Sequence, residues 1–511
     1  MADFLVNIGN MAMNVVQSAG NYAGNYMTAG QMAQAAQLVI NIGMAYATRP
    51  EARKAGPQRS TFNQTMPPRR RLLNRARIAT ADSMMLKEAR NNLYQVGAVC
   101  EGPISQYGAY WLHSDRVTVD GDNKVHATEG PPAKYNDRLL LYTRLGLPTE
   151  TSYYGLGPWG GENMADLPAG TWSNAHRGDG IASVLLVCRP VEQNSYRNVY
   201  PHGQPEVSVL PIGKVYDWRK DTTRGGDGAH RLDNPATWEE SWNLVLWWAQ
   251  VEAGPPDRAD FVARFERLIA PQLASWTQAA DDCDDAIPLA AGGTEARYRL
   301  AGWYNADTDL ADIRKGIMAA CDGFMIEAPG GSLHIQVGKW REPTITIPKG
   351  HIKRLRWKRG KRSEAIVNEL VVSYLSPDHD WFVVPGTPWK DEASIAARGR
   401  KPAPFVADWV PSHGQARRLA KIMMKASQAD GVGTVVTTLF GLNVLFAAPP
   451  EGGVANRRVL NLERQRANGE IEIVPVEITG SARIDWLSLT VEFPIRRAVP
   501  EAYDWSAIEE G

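Results

Sequence analysis

The segment from Gly292 to Lys339 leaves the chain few choices of fold, because strand periodicity gives way to helix periodicity in it and then returns. Gly292-Gly293 precedes the short β-like run Thr294–Leu300. Asp307, Thr308 and Asp309 then offer N-cap side chains, and Leu310, Ile313, Ile317 and Cys321 recur at i, i+3, i+7 and i+11, one face of a helix. Gly323 is the expected stop, in the left-handed C′ position that glycine adopts at least cost. Phe324–Ile326 and Leu333–Val337 flank Pro329-Gly330-Gly331, a hairpin signal. The unit reads strand, helix, hairpin: an α+β module whose helix covers one sheet face.

Composition narrows the function classes. The 56 basic and 56 acidic residues cancel, so there is no global basic excess of the kind a dedicated nucleic-acid binder carries. Four cysteines (Cys100, Cys188, Cys283, Cys321) lie far apart with no C-x-x-C, which points to reduced thiols and neither a disulfide nor a zinc framework. With 17 Trp, 46 Gly and 33 Pro, the chain favours short strands and turns over a helix bundle.

Residues 1–48 stand apart, with Asp3 as their one charged side chain. Phe4, Leu5, Ile8, Met11, Val15 and Val16 make an apolar helical stripe, echoed by Leu38, Val39, Ile40 and Ile42. Asn7, Asn10 and Asn14 interrupt the run of about 20 apolar residues that a bilayer span needs, and no basic n-region marks a signal peptide. Three readings stay open: an arm that orders against a partner, a segment that contacts membrane, or a self-associating helix at the centre of an oligomer. Residues 49–80 read as a Pro/Arg-rich linker containing Arg69-Arg70-Arg71, Arg75 and Arg77.

From 81 to 216 the pattern is β, with Asp120-Gly121-Asp122-Asn123 as a hairpin turn and Ile181–Cys188 as a buried strand. A calcium loop is the other reading of that turn, but the spaced acids and closing Glu are missing. Residues 217–285 turn helical. Trp242, Val245, Leu246 and Ala249 form one face after the Asn234-Pro235 start signal, and Phe261, Phe265 and Leu268 form another before Pro271. Leu273, Trp276, Ala280 and Cys283 form a third, whose acids Asp281, Asp282, Asp284 and Asp285 read as a solvated helix end.

Beyond the 286–350 module, residues 353–362 carry seven basic side chains, among them Lys353, Arg354, Arg356 and Arg359. Strand alternation sets Leu355 and Trp357 opposite part of that charge. Phosphate contact, an acidic protein partner and a solvated edge strand that resists aggregation are the three readings. Leu370, Val372 and Tyr374 alternate as a strand, and Ser412 with Gln415 makes a capping box before a helix facing inward through Ala416, Leu419, Ala420 and Met423. The tail reads as half-buried strands. Ile471 and Ile473 alternate with Glu470 and Glu472, and Leu487, Leu489, Val491 and Phe493 alternate with Ser488, Thr490 and Glu492.

No G-x-S-x-G, H-E-x-x-H, Walker-A or G-x-G-x-x-G pattern occurs, and the nine histidines are dispersed. The expectation is a non-enzyme without cofactor or metal. A cell-wall hydrolase working through two distant carboxylates is the enzymatic alternative.

Cys283-Asp284, Gly292–Tyr298 and Cys321-Asp322-Gly323 together resemble the central tail-tip, or baseplate-hub, proteins of long-tailed bacteriophages, the lambda-type host-specificity proteins. Leu86–Val96, Glu101–Ile104 and Tyr110–Leu112 resemble the opening barrel of that family. Val215–Asp217, Asp233–Ala236, Val367-Asn368, Val372–Tyr374, Asp391–Ile395 and Gln415–Arg418 continue in the same order, so about residues 85–430 are covered. The resemblance implies a multidomain α+β fold with β-barrel-like hub domains, and a structural virion protein at the distal end of the tail. It implies a homotrimer that closes the tail tube, meets a distal tail protein and the tape-measure protein, and opens for phage DNA. Such a protein is made in the host cytoplasm. The sequence ends near the close of the hub region, without the family's fibronectin-like and receptor-binding extension, so host recognition is expected of separate tail-fibre proteins. A DNA-contacting adaptor using residues 353–362 is a further alternative. The arm at 1–48 is outside the family pattern.

Overall fold

In the computed structural model the described residues run from 69 to 510, apart from 88–90, 129–133, 136–137, 157–163, 165–166, 168–169, 201–202, 359–366, 447–452 and 467. Strands Ala81–Lys87, Leu93–Glu101, Ile181–Cys188 and Leu139–Leu145 form one antiparallel sheet in that spatial order. Ile181–Cys188 reads as an unbroken apolar run because both its faces are covered. Val184, Leu186 and Cys188 enter one core, Leu185 and Val187 another. A second sheet, built on Ile104–Leu112 and Val207–Gly213, shares the first of these cores through Ile104, Leu112, Val207 and Val209. The Asp120–Asn123 turn joins Asp115–Val119 to Val125–Ala127, with Asp120 Oδ1 accepting the Asp122 and Lys124 amides.

Of the stretch read as a linker, residues 49–68 lie outside the described residues, and 69–80 are part of this architecture. Arg70–Leu73 is a strand paired antiparallel to Gly302–Asn305, and Ile78–Ala79 extends the second sheet.

The chain then builds a helical core. Leu244–Ala253 is buried on every side except at Gln250, so it has no solvent face for periodicity to reveal. It starts at Asn243, whose Oδ1 accepts the Val245 and Leu246 amides, and not at Asn234-Pro235. Those two residues open a single 3₁₀ turn, Pro235–Thr237, and Trp242 precedes the helix. Phe261–Leu268 and Leu273–Asp284 pack against it, Trp276 meeting Trp248 edge to face at 5.8 Å.

The module's elements fall where periodicity puts them: Leu310–Cys321 is a helix capped by Asp309, with Ile313, Ile317 and Cys321 buried. Two details differ. The helix lies against Leu244–Ala253 and the later helix His413–Gln428, while the hairpin is covered by Leu273–Asp284. The left-handed residue is Asp322, not Gly323. Asp322 holds that conformation because Arg458 donates to its carbonyl and its carboxylate, both at 2.6 Å. Gly323 is small for another reason: a Cβ there would sit about 3.0 Å from Cys321 Sγ and 3.2 Å from the Trp248 ring.

The hairpin Phe324–Glu327/Leu333–Gln336 serves two cores. Met325, Leu333 and Ile335 face the helices, while Phe324 and Ile326 face the C-terminal sheet. That sheet runs Thr346–Ile347, Val459–Gln465, Ile471–Ile478, Thr490–Arg497, Val432–Thr438, Ile352–Lys358, with Arg483–Asp485 also paired to Thr490–Arg497. A four-stranded sheet centred on Glu369–Ser376 carries the helix His413–Gln428. Ser412 caps this helix, but Gln415 does not return the bond to the cap residue. Its side chain clamps Arg299 and Ala320 instead. Met424, not Met423, faces the core.

The fold is α+β, with sheets and helices segregated along the chain. Among the described residues each sheet has an open strand order, so the expected barrels are paired open sheets.

Candidate interaction surfaces

Of the side chains proposed from sequence as partner contacts, Phe4, Leu5, Ile8, Met11, Val15 and Arg359 lie outside the described residues. Lys353, Arg354 and Arg356 lie on Ile352–Lys358, the edge strand of the C-terminal sheet. Pairing with Val432–Thr438 is bulged between Ile352 and Arg354, which turns Leu355 and Trp357 inward and leaves the cations exposed. None of the three meets a carboxylate among the described residues. Trp357 is seated by a glycine at positive φ, Gly431 (φ 124°), where a Cβ would fall 2.2 Å from the indole. The strand thus combines an anchored aromatic with a charged edge, which is how soluble sheets keep a free edge from pairing.

The arginines at 69–77 are used within the fold. Arg71 Nε donates to Glu101 at 2.6 Å, and Arg75 lies 4.2 Å over the Trp242 ring. Arg77 is held between Trp111 and Phe382, at 4.3 and 4.9 Å, so it links the N-terminal sheets to the four-stranded sheet. Burial lowers its pKa to about 10, with Asp380 opposing the shift, and it remains cationic at neutral pH.

The acidic cluster of Leu273–Asp284 departs from the expected solvated helix end. Asp282 is buried and receives Lys339 at 2.9 Å and Arg341 at 2.7 Å. Asp281 and Asp284 share Arg219, and Asp285 takes Arg297 and Lys339. The four acids are thus divided between two groups of cations, Arg219 for Asp281 and Asp284, and Lys339 with Arg341 or Arg297 for Asp282 and Asp285.

Other buried carboxylates are similarly engaged. Glu252 binds Arg314 through both oxygens, Glu295 binds Arg418 and Ser412, and Glu369 binds Arg400. Arg458 sits between Asp322 and Glu477. Burial alone would raise the pKa of Glu477, but Arg458 and Arg496 outweigh it and hold the carboxyl below its ordinary value. All four cysteines are buried free thiols. Burial pushes Cys100 and Cys188 up to about 12, so neither is a thiolate at neutral pH.

Among the described residues no group of three His, Cys, Asp or Glu could hold a metal ion, and no helix is long and apolar enough to cross a membrane. One cleft between Arg71–Leu73, Ile104 and Trp238 holds ≈ 50 Å³, room for a water or two and far short of the ~300 Å³ of a small-ligand pocket.

The C-terminal sheet shows a second kind of surface that strand alternation misplaces. Ile471 and Ile473 are 62% and 58% exposed, because Val474, Val476 and Ile478 are the residues that face the core. Leu487 and Leu489 are not in a strand at all. They belong to the turn between Arg483–Asp485 and Thr490–Arg497, where Trp486, Leu487 and Leu489 are 65%, 97% and 54% exposed. Asp485 closes this turn by accepting the Leu487 and Ser488 amides. That Asp-to-Ser spacing was the signal in the sequence that a turn interrupts the alternation.

No family model matches the chain, and no curated relative matches it. Its fold is similar to that of a chain in the virion of a native gene transfer agent particle. The TM-score is 0.52 at 13% identity, over 96% of this chain and 98% of the other. At that identity the likeness shows a shared fold, and it runs almost from end to end of both chains. Two other likenesses carry no weight at their TM-scores. One is to the tail protein from Neisseria meningitidis MC58, at 0.26 and 11% identity over 84% of this chain and 95% of that one. The other is to a 43 kDa tail protein of prophage MuSo2 from Shewanella oneidensis, at 0.27 and 9% identity over 86% and 99%.

Proposed function

We propose that this chain is a structural subunit of a phage-type tail, placed in the hub that closes the distal end of the tail tube, where it takes part in tail assembly and DNA delivery. The observation that carries the reading is the fold shared along nearly the whole of both chains with a component of a gene transfer agent virion. The ordered motif resemblance over about residues 85–430 agrees with it. The described surfaces fit a subunit that works by contact: carboxylates tied to cations, thiols buried, and apolar and basic side chains left at the edges of the C-terminal sheet. In this reading copies of the chain form a trimer. A distal tail protein and the tape-measure protein are its neighbours, separate fibre proteins recognise the host, and residues 1–48 and 353–362 contact partners. The virion is its location.

The test is to tag the chain in the particles that its genome encodes and to locate the tag by electron microscopy. Tag at the distal tail end, in three copies, is expected, and deleting the gene should abolish complete tails. Tag along the tube or in the capsid would overturn the hub reading. Clearing of peptidoglycan by the purified chain would overturn the non-enzymatic one.

A further inference from the structure

One buried carboxylate departs from the pattern of the rest. Of the eight that the described structure buries, six meet an Arg or Lys, and Glu150 accepts the Leu147 and Thr151 amides. Asp82, 6% exposed, meets no cation. Its Oδ1 accepts a hydrogen bond from Gln95 Nε2 at 2.8 Å, while its Oδ2 has no partner. Gln95 is 2% exposed, and its Oε1 has no partner either. Two buried oxygens on groups held side by side thus lack a donor, a state that protein interiors seldom leave unanswered.

A β-bulge creates this arrangement. Ala81–Lys87 pairs Met84 with Val96 but Asp82 with Gly97, so Ser83 is an extra residue between them. Regular alternation would turn Asp82 to the side of Met84 and Val96; the bulge re-aims it to the face of Gln95. Gly97 admits Thr80 to the same spot, where a Cβ would fall 2.5 Å from Thr80 Cβ. The Thr80 hydroxyl donates to Val207 O at 3.3 Å, which leaves its oxygen as an acceptor. From the second sheet comes Glu206, half-buried and immediately before the strand Val207–Gly213, and it forms no ion pair among the described residues. Burial and, after it, the charge of Glu206 raise the pKa of Asp82, while the Gln95 bond opposes them.

From this cluster we infer a binding site for a hard divalent cation, of the calcium class, between the two N-terminal sheets, with Asp82 Oδ2, Gln95 Oε1 and the Glu206 carboxylate as ligands and Thr80 Oγ1 beside them. Carboxylate and amide oxygens without nitrogen or sulfur are the ligand set of calcium and magnesium. Calcium accepts the irregular geometry of a bulge, whereas magnesium demands a near-ideal octahedron. A water would satisfy the two orphan oxygens but leave the charges of Asp82 and Glu206 unbalanced, and a proton would neutralise one of them. A divalent ion answers both. The site holds two carboxylates, fewer than the three His, Cys, Asp or Glu side chains of a self-sufficient cluster, and the Gln95 amide supplies the difference. Ala81–Lys87 is an edge strand and Glu206 is half-open, so an ion has a way in. With water completing the shell, the affinity belongs to the weak range of ~10⁻⁴–10⁻³ M. The inference stands apart from the tail assignment.

The experiment uses the full chain, stripped with EDTA, in equilibrium dialysis against radioactive calcium at millimolar concentration, with thermal melting in parallel. The wild type is expected to bind one equivalent more than Asp82→Asn. It should also melt about 1–2 °C higher in 10 mM calcium than in EDTA at matched ionic strength. Asp82→Asn should melt above the wild type in EDTA, because the new amide can donate to Gln95 Oε1, and should not respond to calcium. Glu206→Gln, at a half-buried position, should weaken calcium binding at least about threefold, since ligand charge sets affinity. Equal calcium uptake by the wild type and Asp82→Asn overturns the site. Absence of any calcium response in the wild type assigns the orphan oxygens to water and overturns it as well. A wild type that gains stability relative to Asp82→Asn on acidification in EDTA, with no further gain from calcium, makes the occupant a proton, with the same consequence.

Discussion

His334 is the residue whose chemistry reaches furthest into the solution behaviour of the chain. It is buried on the strand Leu333–Gln336, its Nε2 has no partner, and burial together with the charge of Arg457 lowers its pKa to about 3. Unfolded, it titrates near 6.5. Between those values the unfolded chain binds a proton that the native chain refuses, so stability falls as the pH drops through that window. The slope is up to about 1.4 kcal/mol per pH unit. Urea midpoints measured from pH 7 to pH 4 should decline in the wild type and flatten in His334→Gln. Equal slopes would show that the imidazole is not the group responsible. Ile317, fully buried on Leu310–Cys321, tests packing at the same scale. Ile317→Asp places an unpaired carboxylate among Trp-rich helices and should cost upward of about 4 kcal/mol, read as a large fall in melting temperature.

Among the elements, the helices with one covered and one open face were legible in the sequence: Leu310–Cys321, Phe261–Leu268 and Leu273–Asp284. Periodicity reports contrast between faces, and these have it. Leu244–Ala253 lacks that contrast, so its start was misplaced to Asn234-Pro235. Strand alternation failed at Ile471 because it says which residues share a face and not which face is covered, and at Leu489 because the Asp485 turn interrupts the strand there. The arginines of 69–77 were hidden for a further reason. Their aromatic and acidic partners are remote in sequence, and composition alone makes Arg-Arg-Arg after a pair of prolines look like a linker. Of the exposed surfaces, the basic edge strand was legible from its charge, whereas the apolar turn Trp486–Leu489 was not.

A junction between elements gives the sharpest mutational test. Arg458 ties the end of Leu310–Cys321, through Asp322, to Glu477 in the C-terminal sheet. Arg458→Ala leaves Asp322 without its cation and Glu477 with Arg496 alone, and should lower stability by about 3–5 kcal/mol in denaturant titration, while Arg458→Lys, lacking the fork, should recover only part of it.

At the scale of the molecule, residues 1–48 carry one charged side chain, and their many small residues offer little area to bury. A chain lacking residues 1–48 should therefore melt within a degree or two of the full one, yet fail in tail completion if those residues are contacts with a partner. Normal tails from the deletion would remove them from assembly. The three largest cores mix segments from distant parts of the sequence, and the hairpin Phe324–Gln336 belongs to two of them at once, its odd and even residues facing different ways. It has no face left over that could stay wet while one core melts. The helical half and the C-terminal sheet thus share two four-residue strands as a common wall, and heating should take both down in a single calorimetric peak. The apparent domain count of the chain, judged by its architecture, is accordingly larger than its count of cooperative units.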